Sequence, residues 1–138
     1  MMNRNIFVST LDYSRLHDLV LTAKQFASAS TELLDFLDSE LTRAKIVSPE
    51  EIPPYVVTMN TCVHLVDLES GEDMKVTLVY PSDAKRQKGN LSILSDLGIA
   101  IIGFSVGDTI QWSSPEGLRH LKVNSIDFQP EAINRYDL

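Results

Sequence analysis

The sequence has little cysteine and no long hydrophobic stretch. Cys62 is the single cysteine, so an intrachain disulfide is excluded. It lies in a strand-like stretch, Thr61 to Leu68, where we expect a buried and unreactive thiol. The longest apolar runs, such as Ile99 to Ile102, fall far below the roughly 20 residues needed to cross a bilayer, and the N-terminus lacks a charged-then-apolar signal pattern. We therefore expect a cytoplasmic protein with no membrane partner.

Positive charge is also scarce. The formal net charge is −7, so the phosphate backbone of a nucleic acid is repelled at long range. The only basic cluster runs from Lys85 to Lys88 between turn-forming residues, and it contains no aromatic residue on which a base could stack. We expect a solvated loop there and no direct binding of nucleic acid.

Motifs for catalysis and for metal or cofactor binding are missing as well. The three histidines, His17, His64 and His120, lie in separate segments without other ligands at metal spacing, so we expect structural or solvated roles for them. There is no G-x-S-x-G elbow, and Cys62 has no recognisable catalytic partner. The glycines after residue 97 do not form a phosphate loop. The sequence therefore predicts no catalytic residue, no metal site and no cofactor.

Two amphipathic helices are predicted at the start of the chain. The first runs from Leu11 to about Ala27, where apolar residues recur every three or four positions, and Thr10 is its expected cap. The second runs from Thr31 to about Ile46, with a near-heptad apolar row. Because the connection is short, the helices are expected to pair as an antiparallel coiled-coil hairpin occupying residues 1–47.

A boundary is predicted after the hairpin. Ser48 and Glu51 form a capping-box pattern around Pro49, which indicates one helical turn ended by Pro53 and Pro54. This Pro- and Glu-rich composition is typical of a linker, assigned to residues 48–60. Residues 61–138 then form the second domain.

The second domain alternates strand and turn patterns. Strands are predicted over the ranges Thr61 to Leu68, Met74 to Tyr80, Leu91 to Leu94, Thr109 to Ser113 and Leu118 to Phe128. One short helix, capped by Ser95 and closed by Gly103, precedes the last two strands. The fold class is therefore α+β, with an antiparallel sheet following the hairpin.

Several segments carry a family resemblance. Residues Ser95 to Asp108, with glycines at 98, 103 and 107, resemble the C-terminal FKBP-like domain of the Gre transcript-cleavage factors, as do Pro115 to Gly117 and the strand pair Val63 to Tyr80. Closer still is the resemblance to the Rnk family, named for regulation of nucleoside diphosphate kinase. Its segments are Ser48 to Glu51, Val56 to Asn60, Leu78 to Pro81 and Gln129 to Ala132. The resemblance implies an N-terminal coiled-coil hairpin, an FKBP-like C-terminal domain and binding to RNA polymerase near its secondary channel.

The hairpin departs from the Gre pattern at its turn. Gre factors carry a longer arm with acidic residues at the tip that help hold a catalytic magnesium ion, whereas this sequence has no acidic residue between Asp18 and Glu32. Glu32 and Asp35, three positions apart, are the nearest substitute for a cation site, but acidic residues in a first helical turn also favour the helix dipole. Ser28 and Ser30 complete the predicted tip and acidic face.

The Gre resemblance also implies docking residues. In Gre factors the loop entering the short helix lies in the polymerase-docking surface, which corresponds here to Ser95, Asp96 and Leu97. The leading hypothesis is a polymerase-binding regulator that competes with Gre factors without cleavage activity. Two alternatives stay open: a direct protein partner of nucleoside diphosphate kinase, and a weak magnesium-dependent cleavage factor. Prolyl isomerase activity is not expected, since the few aromatic residues of the domain fall where core packing is the default.

Overall fold

A computed structural model describes residues 6–135 and confirms the two N-terminal helices. Helix α1 spans Thr10–Gln25 and helix α2 spans Thr31–Arg43. The cap of α1 is Ser9, whose side chain accepts a hydrogen bond from the Asp12 amide, so the expected cap was placed one residue too late. Lys24, near the end of α1, pairs at 3.5 Å with Asp35 on α2, as antiparallel helices require.

The base of the hairpin is a small parallel sheet that the sequence pattern did not reveal. Strand β1 (Phe7–Ser9) pairs with strand β2 (Lys45–Val47), so the prediction that the second helix continues to Ile46 was wrong. The helix ends because Ala44 is extended and Lys45 donates its amide hydrogen to the carbonyl oxygen of Ile6 at 2.8 Å. Tertiary pairing thus overrides helical periodicity in the last turn.

The second part of the chain forms a five-stranded sheet in the order β5-β4-β3-β7-β6. Its strands are β3 (Cys62–Asp67), β4 (Asp73–Val79), β5 (Asn90–Ser92), β6 (Thr109–Ser114) and β7 (Gly117–Phe128), and helix α3 (Asp96–Ile101) lies between β5 and β6. All pairs are antiparallel except β4 with β5, which is parallel, so the expectation of a wholly antiparallel sheet was wrong. The 80–89 loop carries the chain back along β4 before β5 begins, which gives the two strands the same direction.

One hydrophobic core joins the hairpin to the sheet. Leu16 and Val20 of α1 and Leu37 of α2 belong to the same buried cluster as Leu65 and Leu121 of the sheet. The segment predicted as a linker contributes to this cluster too, through Val57 and Met59, which are almost fully buried. The capping box at Ser48 and Glu51 is confirmed, in a single 3-10 turn. We refer to residues 56–135 as the sheet body; the division of the chain into three units stays a prediction.

Three side chains of the sheet are less buried than the sequence pattern predicts. Cys62 is only partly buried, because it is the first residue of β3 and lies at the end of its strand. Trp112 and Phe128 are partly buried as well, and Trp112 packs against the main core. Within residues 6–135, no helix combines the length and apolar character needed to span a membrane.

Candidate docking surface

The predicted docking loop is stabilised by hydrogen bonds of the Ser95 side chain to its own neighbours. The Ser95 hydroxyl accepts a hydrogen bond from the Gly98 amide at 3.0 Å and donates one to the Ser92 carbonyl oxygen at 2.6 Å, which confirms Ser95 as the cap of α3. A Cβ atom on Gly98 would lie 2.3 Å from the Ser92 carbonyl oxygen, so the close approach of helix and strand requires glycine. Asp96 is exposed, whereas Leu97 is only 6% exposed and packs into the core. Leu97 therefore supports the loop and offers no side chain to a partner.

The turn of the hairpin is short and exposed. Ala27 adopts a left-handed conformation with φ of 49°, and the Ser28 amide donates to the Ala23 carbonyl oxygen at 3.0 Å, which closes the end of α1. Ser30 caps α2 by accepting from the Leu33 amide at 3.2 Å. Ser28 and Ser30 thus have local roles in ending one helix and starting the next.

The structure brings the hairpin turn and the docking loop together. A cleft of about 460 Å³ is lined by Ser30, Glu32 and Leu33 from the start of α2 and by Ser95 and Asp96 from the start of α3. Asp35 does not line this cleft and pairs with Lys24. Two predicted sites are therefore one surface, a relationship that no local sequence pattern contains.

A buried carboxylate was missed by sequence reasoning. Asp12 is 3% exposed, and its Oδ2 accepts a hydrogen bond from the Met59 amide at 3.3 Å. Burial, followed by the charge of Glu131, raises the pKa of Asp12 to about 7. A carboxylate in the first turn of a helix is also favoured by the helix dipole, so this position by itself does not indicate burial. The signal for burial was its spacing, since Asp12 precedes buried Leu16 and Val20 at four-residue intervals.

The three histidines lie in separate parts of the structure and have different neighbours. His17 stacks on Tyr13 with ring centroids 5.9 Å apart. His64 contacts Asp127 at 2.9 Å and Asp73 at 3.3 Å, while His120 contacts Glu69 at 2.9 Å. The described part of the chain contains no group of three or more such side chains placed to hold a metal ion.

Comparison with known proteins defines the class first. Residues 52–128 match the family described as "Transcription elongation factor, GreA/GreB, C-term". The solved structure described as "Prokaryotic transcription elongation factor GreA/GreB from Nitrosomonas europaea" is 38% identical, covers 91% of this chain and all of its own, and superposes with a TM-score of 0.74. A transcription elongation factor GreA of Prosthecochloris aestuarii is 32% identical over 83% of this chain and 72% of its own length. The chain is therefore a Gre-related protein of mixed α+β fold.

The N-terminal part narrows the assignment. Residues 4–47 match the family described as "Rnk N-terminus". The Regulator of nucleoside diphosphate kinase of Escherichia coli is 40% identical over 137 residues, which cover 99% of this chain and 98% of the relative. The chain belongs to the Rnk family, and the relatives named are a regulator and elongation factors rather than members of a catalytic enzyme family.

Proposed function

We propose that this protein binds RNA polymerase near its secondary channel, competes there with Gre-type factors and does not promote transcript cleavage. The main observation behind the proposal is the cleft lined by residues from the start of α2 and the start of α3. In this cleft the hairpin and the predicted docking loop form one surface on a Gre-related fold. We propose further that residues 61–138 form an FKBP-like domain and that the hairpin is a short coiled coil.

The length and packing of the hairpin support a role outside the polymerase active centre. Helix α1 has 16 residues, which at about 1.5 Å per residue is on the order of 24 Å. Leu16 and Val20 of this helix share one buried cluster with residues of the sheet body, so part of its length is packed in the core and is not free to project. Such an arm is suited to covering an opening rather than reaching a distant site.

The chemistry of the turn supports the absence of cleavage activity. A cleavage factor must bring carboxylates to its tip, and residues 19–31 contain none. The nearest two, Glu32 and Asp35, do not act as a pair, because Glu32 lines the cleft while Asp35 pairs with Lys24. The magnesium-dependent alternative is therefore the less favoured one.

Binding and competition are tested with purified components. Fluorescently labelled protein titrated with core RNA polymerase should show saturable binding, and an excess of GreA or GreB should displace it. Absence of binding, or binding that Gre factors do not reduce, contradicts the proposal. In a backtracked elongation complex with Mg²⁺, the protein should release no short RNA and should slow GreA-stimulated release. RNA release by the protein alone would support the cleavage alternative.

A second candidate is direct binding to nucleoside diphosphate kinase, favoured by the name of the 40% identical relative. The acidic face of α2, with Glu32, Asp35 and Asp38, would meet a basic surface of such a partner. Calorimetric titration of the two purified proteins distinguishes the accounts. A complex supports direct modulation, whereas no heat of binding together with polymerase binding supports an effect through transcription.

A further inference from the structure

A three-way junction joins the hairpin to the sheet body around Asp12. Asp12 lies in the first turn of α1, and its carboxylate accepts from the amide of Met59, in the segment that leads into β3. The hydroxyl of Tyr80, just after β4, lies 3.5 Å from the other carboxylate oxygen. Asp12 is thus a polar contact inside a largely apolar interface between the two parts of the chain.

A second carboxylate is held at the same junction. Thr58, the neighbour of Met59, donates its hydroxyl hydrogen to Glu131 Oε1 at 2.8 Å. Glu131 lies in the C-terminal 3-10 helix (Pro130–Ile133), so consecutive residues of one turn bind carboxylates from opposite ends of the chain. Glu131 therefore places a negative charge near Asp12, and this charge raises the pKa of the Asp12 carboxyl.

The groups that act on Asp12 come from each element packed around it. Glu131 is the acidic one, Arg15 on the next turn of α1 is the basic one, and Tyr80 is a neutral hydroxyl. Burial, followed by the Asp12 charge, raises the pKa of Tyr80, so its hydroxyl stays protonated and available as a donor. With a pKa raised to about 7, Asp12 changes its charge near neutral pH.

We propose that Asp12 is a proton-operated latch, which fastens the hairpin to the sheet body while its carboxyl is protonated and loosens it on ionisation. The hydrogen bonds from Met59 and Tyr80 favour the ionised carboxylate, but burial and the Glu131 charge outweigh them, so the neutral carboxyl is the form that suits the closed junction. An ionised one gains from moving into water, and it lies on the first turn of the helix that would move. The latch belongs to the isolated chain and does not depend on which partner the protein binds.

The test is hydrogen exchange of the isolated protein, corrected for the intrinsic pH dependence of amide exchange. The pKa of Asp12 is about 7 in the closed form and has its ordinary value in the open form. The equilibrium constant for opening of the hairpin should therefore rise about tenfold per pH unit between pH 5 and 7 and become constant at higher pH. Peptides from α1 and α2 should report this rise, while peptides from β3 and β7 stay protected. Loss of protection in all four elements together would overturn the latch.

Variants isolate the contribution of Asp12 from that of the other ionisable groups of the chain. Asp12→Asn replaces the carboxyl group by a neutral amide of the same shape. The equilibrium constant for opening of the hairpin should then not vary with pH. In Glu131→Gln the rise should end at a lower pH, because removal of the neighbouring charge lowers the pKa of Asp12 in the closed form. Asp18→Asn, an exposed acid of the same helix, is the matched control and should behave like the parent. An unchanged pH dependence in Asp12→Asn overturns the proposal.

A second measurement does not depend on the folding of the variants. In the parent protein labelled with ¹³C at aspartate carboxyl carbons, the Asp12 resonance should titrate near pH 7. A resonance that titrates in the ordinary range near pH 4 would overturn the latch.

Discussion

Glu32 and Asp96 line the same cleft, although one lies in the first turn of α2 and the other begins α3. Both carboxylates are exposed, and Ser30 and Ser95, the caps of their helices, lie beside them. The hairpin and the sheet body thus present a single acidic surface. A basic segment of a partner would be attracted to both elements at once.

Charge reversal at this cleft should weaken polymerase binding. Replacing Asp96 by Arg, or Glu32 by Arg, should lower affinity about tenfold or more, because each change reverses an exposed charge in the cleft that we propose meets the polymerase. The double variant should lose less than the sum of the two effects, since the side chains share one cleft. Fluorescence anisotropy with core polymerase measures each affinity.

Glu116→Arg is the control for that experiment. Glu116 is exposed on the β6–β7 turn, so the substitution changes the net charge by the same amount away from the cleft. It should leave affinity nearly unchanged. If it weakens binding as much as Asp96→Arg does, net charge rather than the cleft governs the interaction.

Gly98→Ala should destabilise the protein strongly. The added methyl group would meet the Ser92 carbonyl oxygen at 2.3 Å, so α3 must shift away from β5 at a cost of about 1–3 kcal/mol or more. Gly71→Ala is the comparison: its surroundings are open, and only the positive φ of 78° opposes it, at about 1 kcal/mol. Urea unfolding measures both, and equal losses would show that α3 is not tightly packed against β5.

Leu16→Ala tests whether the hairpin is part of the common core. Leu16 is fully buried, so its truncation should reduce the free energy of unfolding by about 2–5 kcal/mol. Leu21→Ala on the same helix removes a side chain that is 54% exposed and should cost less than about 0.5 kcal/mol. Similar small losses in both variants would indicate that the hairpin folds without the sheet.

The His64 cluster gives a pH-dependent prediction on the surface of the sheet. Hydrogen bonds to Asp127 and then to Asp73 raise the pKa of His64 above 6.5. The cluster therefore stabilises the fold below that pH, and its contribution is lost as pH rises through the folded-state pKa. Asp127→Asn should lower the pKa of His64 more than Asp73→Asn does. Proton NMR titration of the imidazole measures this, and a larger effect of Asp73→Asn would reverse the order of the two partners.

The sequence predicts elements whose pattern is local. The apolar spacing in α1 and α2, the cap at Ser95 and the β-rich runs of the sheet all appear close to their predicted positions. The three-residue strands β1 and β2 escape prediction, because so short a run has no periodicity and each strand exists only through its partner. The parallel direction of β5 likewise depends on the path of the preceding loop.

The candidate site was predictable only in pieces. Ser95, Asp96 and the hairpin turn were identified separately, but their meeting in one cleft depends on how α2 packs beside α3. The junction at Asp12 is hidden for the same reason, since its partners Met59 and Glu131 are distant in the chain. A first-turn aspartate has an adequate local role, and only the fold shows that it is buried.

The pairing of β1 with β2 fixes the base of the hairpin without fixing the length of its helices. Because the ladder fixes both ends of the two-helix segment at its root, matched insertions of whole turns into each helix would extend the free end by about 5.4 Å per turn. The attachment at Gly103, where the Phe7 amide donates to the carbonyl oxygen at 3.2 Å, would be undisturbed. A sheet body attached in this way can carry hairpins of different length. Similarity in the sheet therefore does not determine how far the hairpin of a related protein extends.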